Sequence, residues 1–165
     1  MSAINRDPEV TRYLNRPADP EGFYSVFVEH WQRHGFGFFA VECRGGSASR
    51  FVGFVGVAYF SFLPELGSRP ELGWRLARAA WGRGLATEAA CAARDDAFER
   101  LALRELISII HPENERSRRV ATKLGMRVAQ QVHIPSLDRD VDVWQLSREK
   151  SAGRVLEPAH AHPAR

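Results

Sequence analysis

The chain contains few cysteines and no long apolar run. Its 165 residues include only Cys43 and Cys91, which lack metal-ligand spacing and are too few for a disulfide framework. We expect both to be free thiols in a reducing compartment. No apolar run approaches the ~20 residues of a membrane span, and residues 1–8 lack the apolar core of a signal peptide. The sequence therefore predicts a soluble cytoplasmic protein with no membrane partner.

An excess of charge of one sign is also nearly absent. The 23 Lys and Arg residues against 20 Asp and Glu residues give a net charge of +3. This balance suits an anionic ligand but is too mild to indicate nucleic acid as a partner. The length and the 44% hydrophobic share predict a single domain over residues 1–150. Residues 151–165 are expected to form a loose tail.

Two common phosphate-binding motifs are missing. Without Gly-x-x-x-x-Gly-Lys-Ser/Thr there is no P-loop, and without Gly-x-Gly-x-x-Gly after a first strand a dinucleotide fold is disfavoured. Instead, residues 71–88 run from a short apolar strand through a glycine-containing turn into an alanine-rich helix. Gly82, Gly84 and Ala86 allow backbone N–H groups to approach a ligand, and the start of the helix favours an anion such as pyrophosphate. A plain strand–turn–helix connection explains the same residues.

Hydrophobic periodicity and turn residues predict an α+β order of α-α-β-β-β-α-β-α-β-β. Asp7-Pro8 and Asp19-Pro20 start the first two predicted helices. The expected helices cover residues 7–16, 19–34, 84–100 and 114–124. The expected strands cover residues 36–42, 51–60, 71–76, 105–111, 128–134 and 140–147.

The turn in residues 81–86 resembles the acetyl-coenzyme A loop of the GNAT superfamily of N-acetyltransferases, Gln/Arg-x-x-Gly-x-Gly/Ala. Gly84 and Ala86 match this loop, and Trp81 replaces Gln/Arg. The longer string Trp-Gly-x-Gly-x-Ala-Thr-Glu-Ala is similar to the ribosomal-protein N-terminal acetyltransferase-like branch. A second block about 30 residues later resembles the family's strand–Asn-x-x-Ser/Ala–helix pattern, with Asn114 and Ser117.

The resemblance covers roughly residues 7–148 and implies a GNAT-like fold. This fold is a mixed, largely antiparallel sheet with helices on both faces, and the family's usual first strand is missing from the predicted order. The resemblance also implies acetyl-CoA as co-substrate, no metal, and a possible homodimer through the last hairpin. Pantetheine is expected in the gap between residues 71–76 and 105–111. The implied cofactor-binding residues are Leu76, Arg78, Gly82, Arg83, Gly84, Leu85, Ala86, Thr87, Asn114 and Ser117.

The reaction that the resemblance implies is direct transfer of acetyl to a primary amine, either a protein N-terminal α-amine or a small-molecule amine. Glu71 is the expected general base, although a solvated Glu at a strand end is an equal alternative. His111 is a weaker candidate for the base. Ser117 is the expected acid, because Ala121 stands where many relatives carry a Tyr that protonates the leaving thiolate. An ordinary N-cap also explains Asn114 with Ser117.

Other assignments remain open from the sequence. A non-catalytic CoA-binding module of the same fold and a protein- or RNA-interaction domain without cofactor are the two alternatives. Arg116, Arg118 and Arg119 are expected on a solvated face, with one of them near the cofactor as a minor alternative. His133 is expected at the surface or on the substrate side.

Overall fold

A computed structural model describes five segments, residues 2–14, 23–43, 50–59, 66–135 and 138–148. The helices are α1 (Ser2–Arg6), α2 (Pro8–Thr11), α3 (Phe23–His34), α4 (Leu85–Glu99) and α5 (Glu115–Lys123). The strands are β1 (Phe38–Cys43), β2 (Arg50–Ala58), β3 (Glu71–Leu76), β4 (Glu105–Ile110), β5 (Arg127–Ile134) and β6 (Arg139–Ser147). The predicted start of a helix at Asp19, the hairpin turn at residues 44–47 and the tail 151–165 lie outside these segments.

The six strands form one sheet in the order β1-β2-β3-β4-β6-β5. All neighbours are antiparallel except β3 and β4, which are parallel. The prediction of a mixed, largely antiparallel α+β sheet is therefore confirmed. Within the described segments no strand precedes β1, which lies at one edge of the sheet.

The first helix predicted from the sequence is shorter than expected, and another short helix precedes it. Asp7 caps α2 as expected, since its carboxylate accepts the Glu9 backbone N–H at 2.9 Å. However, α2 ends at Thr11, and the preceding turn α1 has no counterpart in the prediction. Helix α1 contributes the buried residues Ile4 and Asn5, so it is stabilised by tertiary contacts rather than by a periodic sequence.

Helices cover both faces of the sheet. On one face the small residues Ala90, Ala93 and Ala97 of α4 are fully or nearly fully buried and bring the helix close to the strands. Phe98 of the same helix is also buried, whereas Ala92 is exposed. On the other face Phe27 of α3 stacks on the sheet. No helix in the described segments is long and apolar enough to cross a membrane.

Strands β3 and β4 pair only where β3 begins. Glu71 is in register with Ile107, and the Ile107 backbone N–H donates to the Pro70 carbonyl at 2.9 Å. One residue further on, the Ser108 hydroxyl donates to the Leu72 carbonyl at 2.6 Å. No further pair of these strands is in register. The backbone of β3 beyond Leu72 therefore lacks a partner strand on the β4 side.

His30 connects α3 to the end of β2. The Tyr59 backbone N–H donates to Nε2 at 3.0 Å, and Nδ1 lies 2.8 Å from the Phe36 carbonyl oxygen, so the neutral ring carries its proton on Nδ1. Burial lowers the pKa of His30. The hydrogen bond to Phe36 raises this pKa in part, and the nearby His34 and Arg33 lower it further.

Acidification should therefore destabilise the fold at His30. The unfolded chain protonates this ring near pH ~6.5, before the folded chain does, so the free energy of unfolding falls as the pH drops from there through the lowered pKa. Thermal unfolding from about pH 7.5 to about pH 5.5 measures the effect. In His30→Gln the decrease in Tm on acidification should be smaller than in the native protein. In the control His133→Gln, which replaces an exposed ring, the decrease should equal that of the native protein. The same dependence of Tm on pH in His30→Gln and in the native protein would show that His30 does not cause the decrease.

Candidate active site

A cleft of about 290 Å³ lies between the end of β3, the turn before α4 and one face of α5. We call it the α4 cleft. Eight of the residues predicted to bind cofactor line it: Leu76, Gly82, Gly84, Leu85, Ala86, Thr87, Asn114 and Ser117. Two others, Arg78 and Arg83, are not among its lining residues. The Arg83 side chain instead lies near Cys43, with Nη2 3.4 Å from Sγ.

The turn before α4 leaves the start of this helix open. Gly82 and Gly84 have φ values of 74° and 79°, which other residues adopt only at a cost. Gly84 is the N-cap and has no side chain to occupy the first N–H groups of α4. A Cβ on either glycine would meet nothing within 4 Å, so within the described segments no side chain packs against the turn at these positions. The helix N-terminus is thus available to an anion.

Trp81 fixes this turn to the end of β3. Its indole N–H donates to the Leu76 carbonyl at 2.9 Å. The guanidinium carbon of Arg116 lies 4.4 Å from the centre of the Trp81 ring, which is a cation–π contact. Trp81 therefore has a structural role at the position where the acetyl-CoA loop usually has Gln or Arg.

Three basic residues of α5 line the α4 cleft, and the two arginines among them are exposed there, in agreement with the expected solvated face. Arg116, Arg119 and Lys123 share one face of the helix at i, i+3 and i+7 and line the cleft. Arg118 does lie outward, where it pairs with Glu115 at 3.2 Å. The spacing was visible in the sequence and is the signal that would have identified this cationic side of the cleft.

A second cavity, of about 210 Å³, lies beside the first on the α3 side of the sheet. We call it the Phe pocket, because Phe27, Phe38 and Phe54 form its wall and Glu71 lies within it. The two cavities share six lining residues, which we call the junction: Tyr13, Leu14, Trp74, Arg75, Asn114 and Ser117. Two ligands could therefore meet there.

The side chain of Glu71 is partly buried and lines the Phe pocket. Burial raises the pKa of Glu71 to about 8, and a hydrogen bond with the Ile109 backbone acts in the opposite direction. A carboxyl group with this pKa can exchange protons near neutral pH. The alternative expectation from the sequence, that Glu71 is a solvated residue at a strand end, does not agree with this environment.

This chain is similar to proteins of one acetyltransferase family. The family model described as acetyltransferase (GNAT) domain matches residues 1–127, more than half of the chain. The chain belongs to the GNAT acetyltransferase family. Among curated proteins, the uncharacterized protein YkkB of Bacillus subtilis is 39% identical over 62 residues, which is 38% of this chain. That match spans about a third, 36%, of YkkB.

Solved GNAT structures share the fold over most of the chain. An acetyltransferase from Agrobacterium tumefaciens is 28% identical with a TM-score of 0.72, over 88% of this chain and 81% of that one. A Vibrio cholerae spermidine N-acetyltransferase in complex with CoA and spermine is 16% identical with a TM-score of 0.72, over 92% and 90%. The ribosomal-protein-S5-alanine acetyltransferase of Vibrio fischeri is 17% identical with a TM-score of 0.65, over 88% and 86%. The ribosomal-protein branch is thus one of several neighbours.

Asn114 and Ser117 are held together at the start of α5 in this GNAT domain. The Asn114 side-chain oxygen accepts the Ser117 backbone N–H at 3.2 Å, as in an ordinary N-cap. Both residues also lie at the junction of the two cavities. Ala121 is fully buried and carries no group that could donate a proton. The sequence analysis missed Tyr13, which follows α2 in the chain and lines both cavities.

The two histidines considered from the sequence differ in position. His111 lines the Phe pocket with its ring centre 5.1 Å from that of Tyr13. Its Nδ1 accepts the Glu113 backbone N–H at 3.1 Å, so the neutral ring carries its proton on Nε2 and has no lone pair free to act as a base. His133 is exposed and lies 2.9 Å from Asp140, away from both cavities.

Arg75 is a second charged group at the junction that the sequence analysis missed. Its guanidinium donates to the Asn5 side chain at 2.7 Å and lies 5.4 Å from the centre of the Phe54 ring. Burial lowers the pKa of Arg75 to about 10, which leaves it charged at neutral pH. Within the described segments, no group of three or more His, Cys, Asp or Glu residues could hold a metal ion.

Proposed function

We propose that this protein transfers an acetyl group from acetyl-CoA to a primary amine by direct attack in a ternary complex. The observation that carries the proposal is the junction, where the α4 cleft and the Phe pocket meet at six shared residues. A cofactor in one cavity and an amine in the other would bring their reacting atoms together there. Such positioning supplies a large part of the rate enhancement in a two-substrate reaction.

The α4 cleft suits the pyrophosphate and the pantetheine arm of acetyl-CoA. The N–H groups of the turn from Gly82 and of the first residues of α4 suit the pyrophosphate, and the three basic residues of α5 add positive charge. The unpaired side of β3 beyond Leu72 suits the pantetheine arm, which can pair with the backbone as an added strand would. Acetyl-CoA is thus the proposed co-substrate, and no metal takes part in the proposal.

Glu71 is the proposed general base. An ammonium cannot attack a thioester, so the amine must lose a proton, and Glu71 lies in the pocket where the amine would bind. The positive charge of a bound ammonium lowers the pKa of the carboxyl group and so favours the carboxylate, which is the form that can accept a proton. A backbone N–H on the unpaired side of β3 would stabilise the tetrahedral oxyanion. Neither Cys43 nor Cys91 lines the junction, which supports direct attack without an acyl-enzyme.

Two hydroxyl groups at the junction could return a proton to the CoA thiolate. Ser117 is the residue predicted from the sequence, and Tyr13 is its competitor. A phenol with a pKa of about 10 is a better acid than an aliphatic hydroxyl. We therefore expect Tyr13→Phe to lower kcat more than Ser117→Ala does, with about 10²-fold as the scale for loss of a general acid. Steady-state kinetics with saturating acetyl-CoA gives kcat for both variants. A larger loss of kcat in Ser117→Ala than in Tyr13→Phe would identify Ser117 as the acid.

The acceptor is proposed as a small-molecule amine. The Vibrio cholerae neighbour, in complex with CoA and spermine, supports this class, and the Phe pocket has the volume of a small-molecule site. A protein N-terminal α-amine, as expected for the ribosomal-protein branch, is the second candidate, supported by the neighbour from Vibrio fischeri. A cytoplasmic location and a homodimer through the β5–β6 hairpin stay predictions, the former supported by the two free thiols.

Turnover tests the proposed function directly. Purified protein with acetyl-CoA should release free thiol only when a primary amine is added, and the product should be the acetylated amine by mass. Small amines and short peptides with free N-termini form the two arms of the acceptor panel. Tight acetyl-CoA binding without amine-dependent thiol release in either arm would instead support the non-catalytic CoA-binding module.

A further inference from the structure

The wall of the Phe pocket is an aromatic cluster at the end where an amine would enter. Phe27 stacks on Phe38 with ring centres 4.5 Å apart, and Phe54 meets them edge-on at 5.1 Å and 5.7 Å. Gly73, between Glu71 and Arg75 on β3, lies above this wall. A Cβ at Gly73 would be 3.1 Å from Cζ of Phe38, so the Phe38 ring packs directly against the β3 backbone at this glycine. The cluster therefore offers an apolar surface next to the proposed base.

The charges around the Phe pocket are unsuited to a polycation. Glu71 is the single carboxylate among the described residues that line it, whereas Arg75 and Arg139 contribute two guanidinium groups. One carboxyl group can accept the proton of one ammonium, but further ammonium groups would face the two arginines. Like charges in a partly buried site are mutually destabilising. Binding here should therefore weaken as the number of positive charges on the amine rises.

We infer that the acceptor is an apolar monoamine, whose hydrocarbon or aromatic body packs on Phe27, Phe38 and Phe54 while its amino group reaches Glu71. This inference rests on the proposed function and narrows its acceptor class. It also separates this chain from the structural neighbour that was solved with spermine. The apolar wall supplies the affinity, and the arginines exclude amines with several positive charges.

Calorimetric titration of the CoA-saturated protein tests the inference with three probes. 2-Phenylethylamine has an apolar ring, ethylamine has almost no apolar body, and spermidine carries several charges. We expect 2-phenylethylamine to bind at least about 10-fold more tightly than either of the others, since a buried ring contributes that much or more. Spermidine that binds as tightly as 2-phenylethylamine, or no measurable binding of 2-phenylethylamine, would overturn the inference.

Variants of Phe38 and Phe39 test whether the aromatic wall of the Phe pocket causes the preference for 2-phenylethylamine over ethylamine. Phe38→Ala should bring the affinity for 2-phenylethylamine down to that for ethylamine. Phe39→Ala, at a 40%-exposed residue outside the pocket, is the matched control and should keep the preference. Gly73→Ala is an independent test, because its methyl group displaces the Phe38 ring and should weaken 2-phenylethylamine without affecting ethylamine. An unchanged preference in a folded Phe38→Ala or Gly73→Ala protein would contradict the assignment.

The same titrations separate this inference from the proposed function. Preferential binding of 2-phenylethylamine without thiol release on addition of acetyl-CoA would support the acceptor class and overturn catalysis. Thiol release that is faster with spermidine than with 2-phenylethylamine would support catalysis and overturn the acceptor class.

Discussion

Replacing Gly84 with glutamate should abolish acetyl-CoA binding while the domain stays folded. The new carboxylate would lie at the uncapped start of α4, where the pyrophosphate is proposed to bind, and would repel it. The residue has a φ of 79°, so any side chain there is strained by roughly 1–2 kcal/mol. No protein atom lies within 4 Å of the added Cβ, so packing is not disturbed. We expect the Kd for acetyl-CoA to rise by about 100-fold or more.

Two controls separate charge from strain at this position. Gly84→Ala carries the same backbone strain without a carboxylate, and Gly84→Gln has the size of glutamate without its charge. Gly84→Ala should bind acetyl-CoA within a few-fold of the native affinity. Gly84→Gln should bind it more weakly than Gly84→Ala and more tightly than Gly84→Glu. Calorimetric titration gives the affinities, and thermal unfolding shows that each variant is folded. A folded Gly84→Glu protein with native affinity would refute the assignment of the pyrophosphate to this turn.

Replacing Glu71 with glutamine should remove most of the amine-dependent activity. Loss of a general base typically costs about 10²- to 10⁴-fold in kcat, and acetyl-CoA affinity should stay unchanged because Glu71 lies in the other cavity. The native kcat/KM should rise with pH toward the carboxyl pKa of about 8. This ascending limb should disappear in Glu71→Gln. Glu99→Gln, at the exposed end of α4, is the control and should keep the native profile.

The same variant has a stability consequence that does not depend on catalysis. The pKa of Glu71 is about 8 in the folded protein and 4.5 as a free carboxyl group. Between these values the folded state holds the proton that the unfolded state has lost, so the free energy of unfolding falls as the pH rises through this range. Glu71→Gln does not lose stability in this way. It should therefore unfold at a higher temperature than the native protein at about pH 9, with a smaller difference near about pH 5. An identical difference at both pH values would show that the carboxyl group is solvated.

Local patterns in the sequence predicted the central part of the fold well. The strand Glu71–Leu76 has the predicted bounds, because an apolar run is limited by Pro70 on one side and by the glycine turn on the other. The N-cap positions of α4 and α5 are Gly84 and Asn114, the residues at which the sequence predicts these helices to start, since a helix start depends on local residues alone. These elements hold eight of the predicted cofactor residues along the α4 cleft.

The parts that could not be predicted depend on distant contacts. Tyr13 and Arg75 reach the junction through the packing of the N-terminal segment on β3, as the hydrogen bond between Arg75 and Asn5 shows. No local motif contains residues 70 positions apart. The pKa of Glu71 depends on burial by several elements, which no local motif can give. By contrast, the helical spacing of Arg116, Arg119 and Lys123 was a local signal that the sequence analysis did not use.

Calorimetric titration of the purified protein with acetyl-CoA tests the central claim most directly, with ATP and NAD as controls. All three carry a pyrophosphate group, but only acetyl-CoA has the pantetheine arm that fits the unpaired side of β3. We predict saturable binding of acetyl-CoA and binding at least about 100-fold weaker for ATP and NAD. A folded protein that does not bind acetyl-CoA, or binds it no more tightly than ATP, would contradict the assignment of the α4 cleft as the acetyl-CoA site.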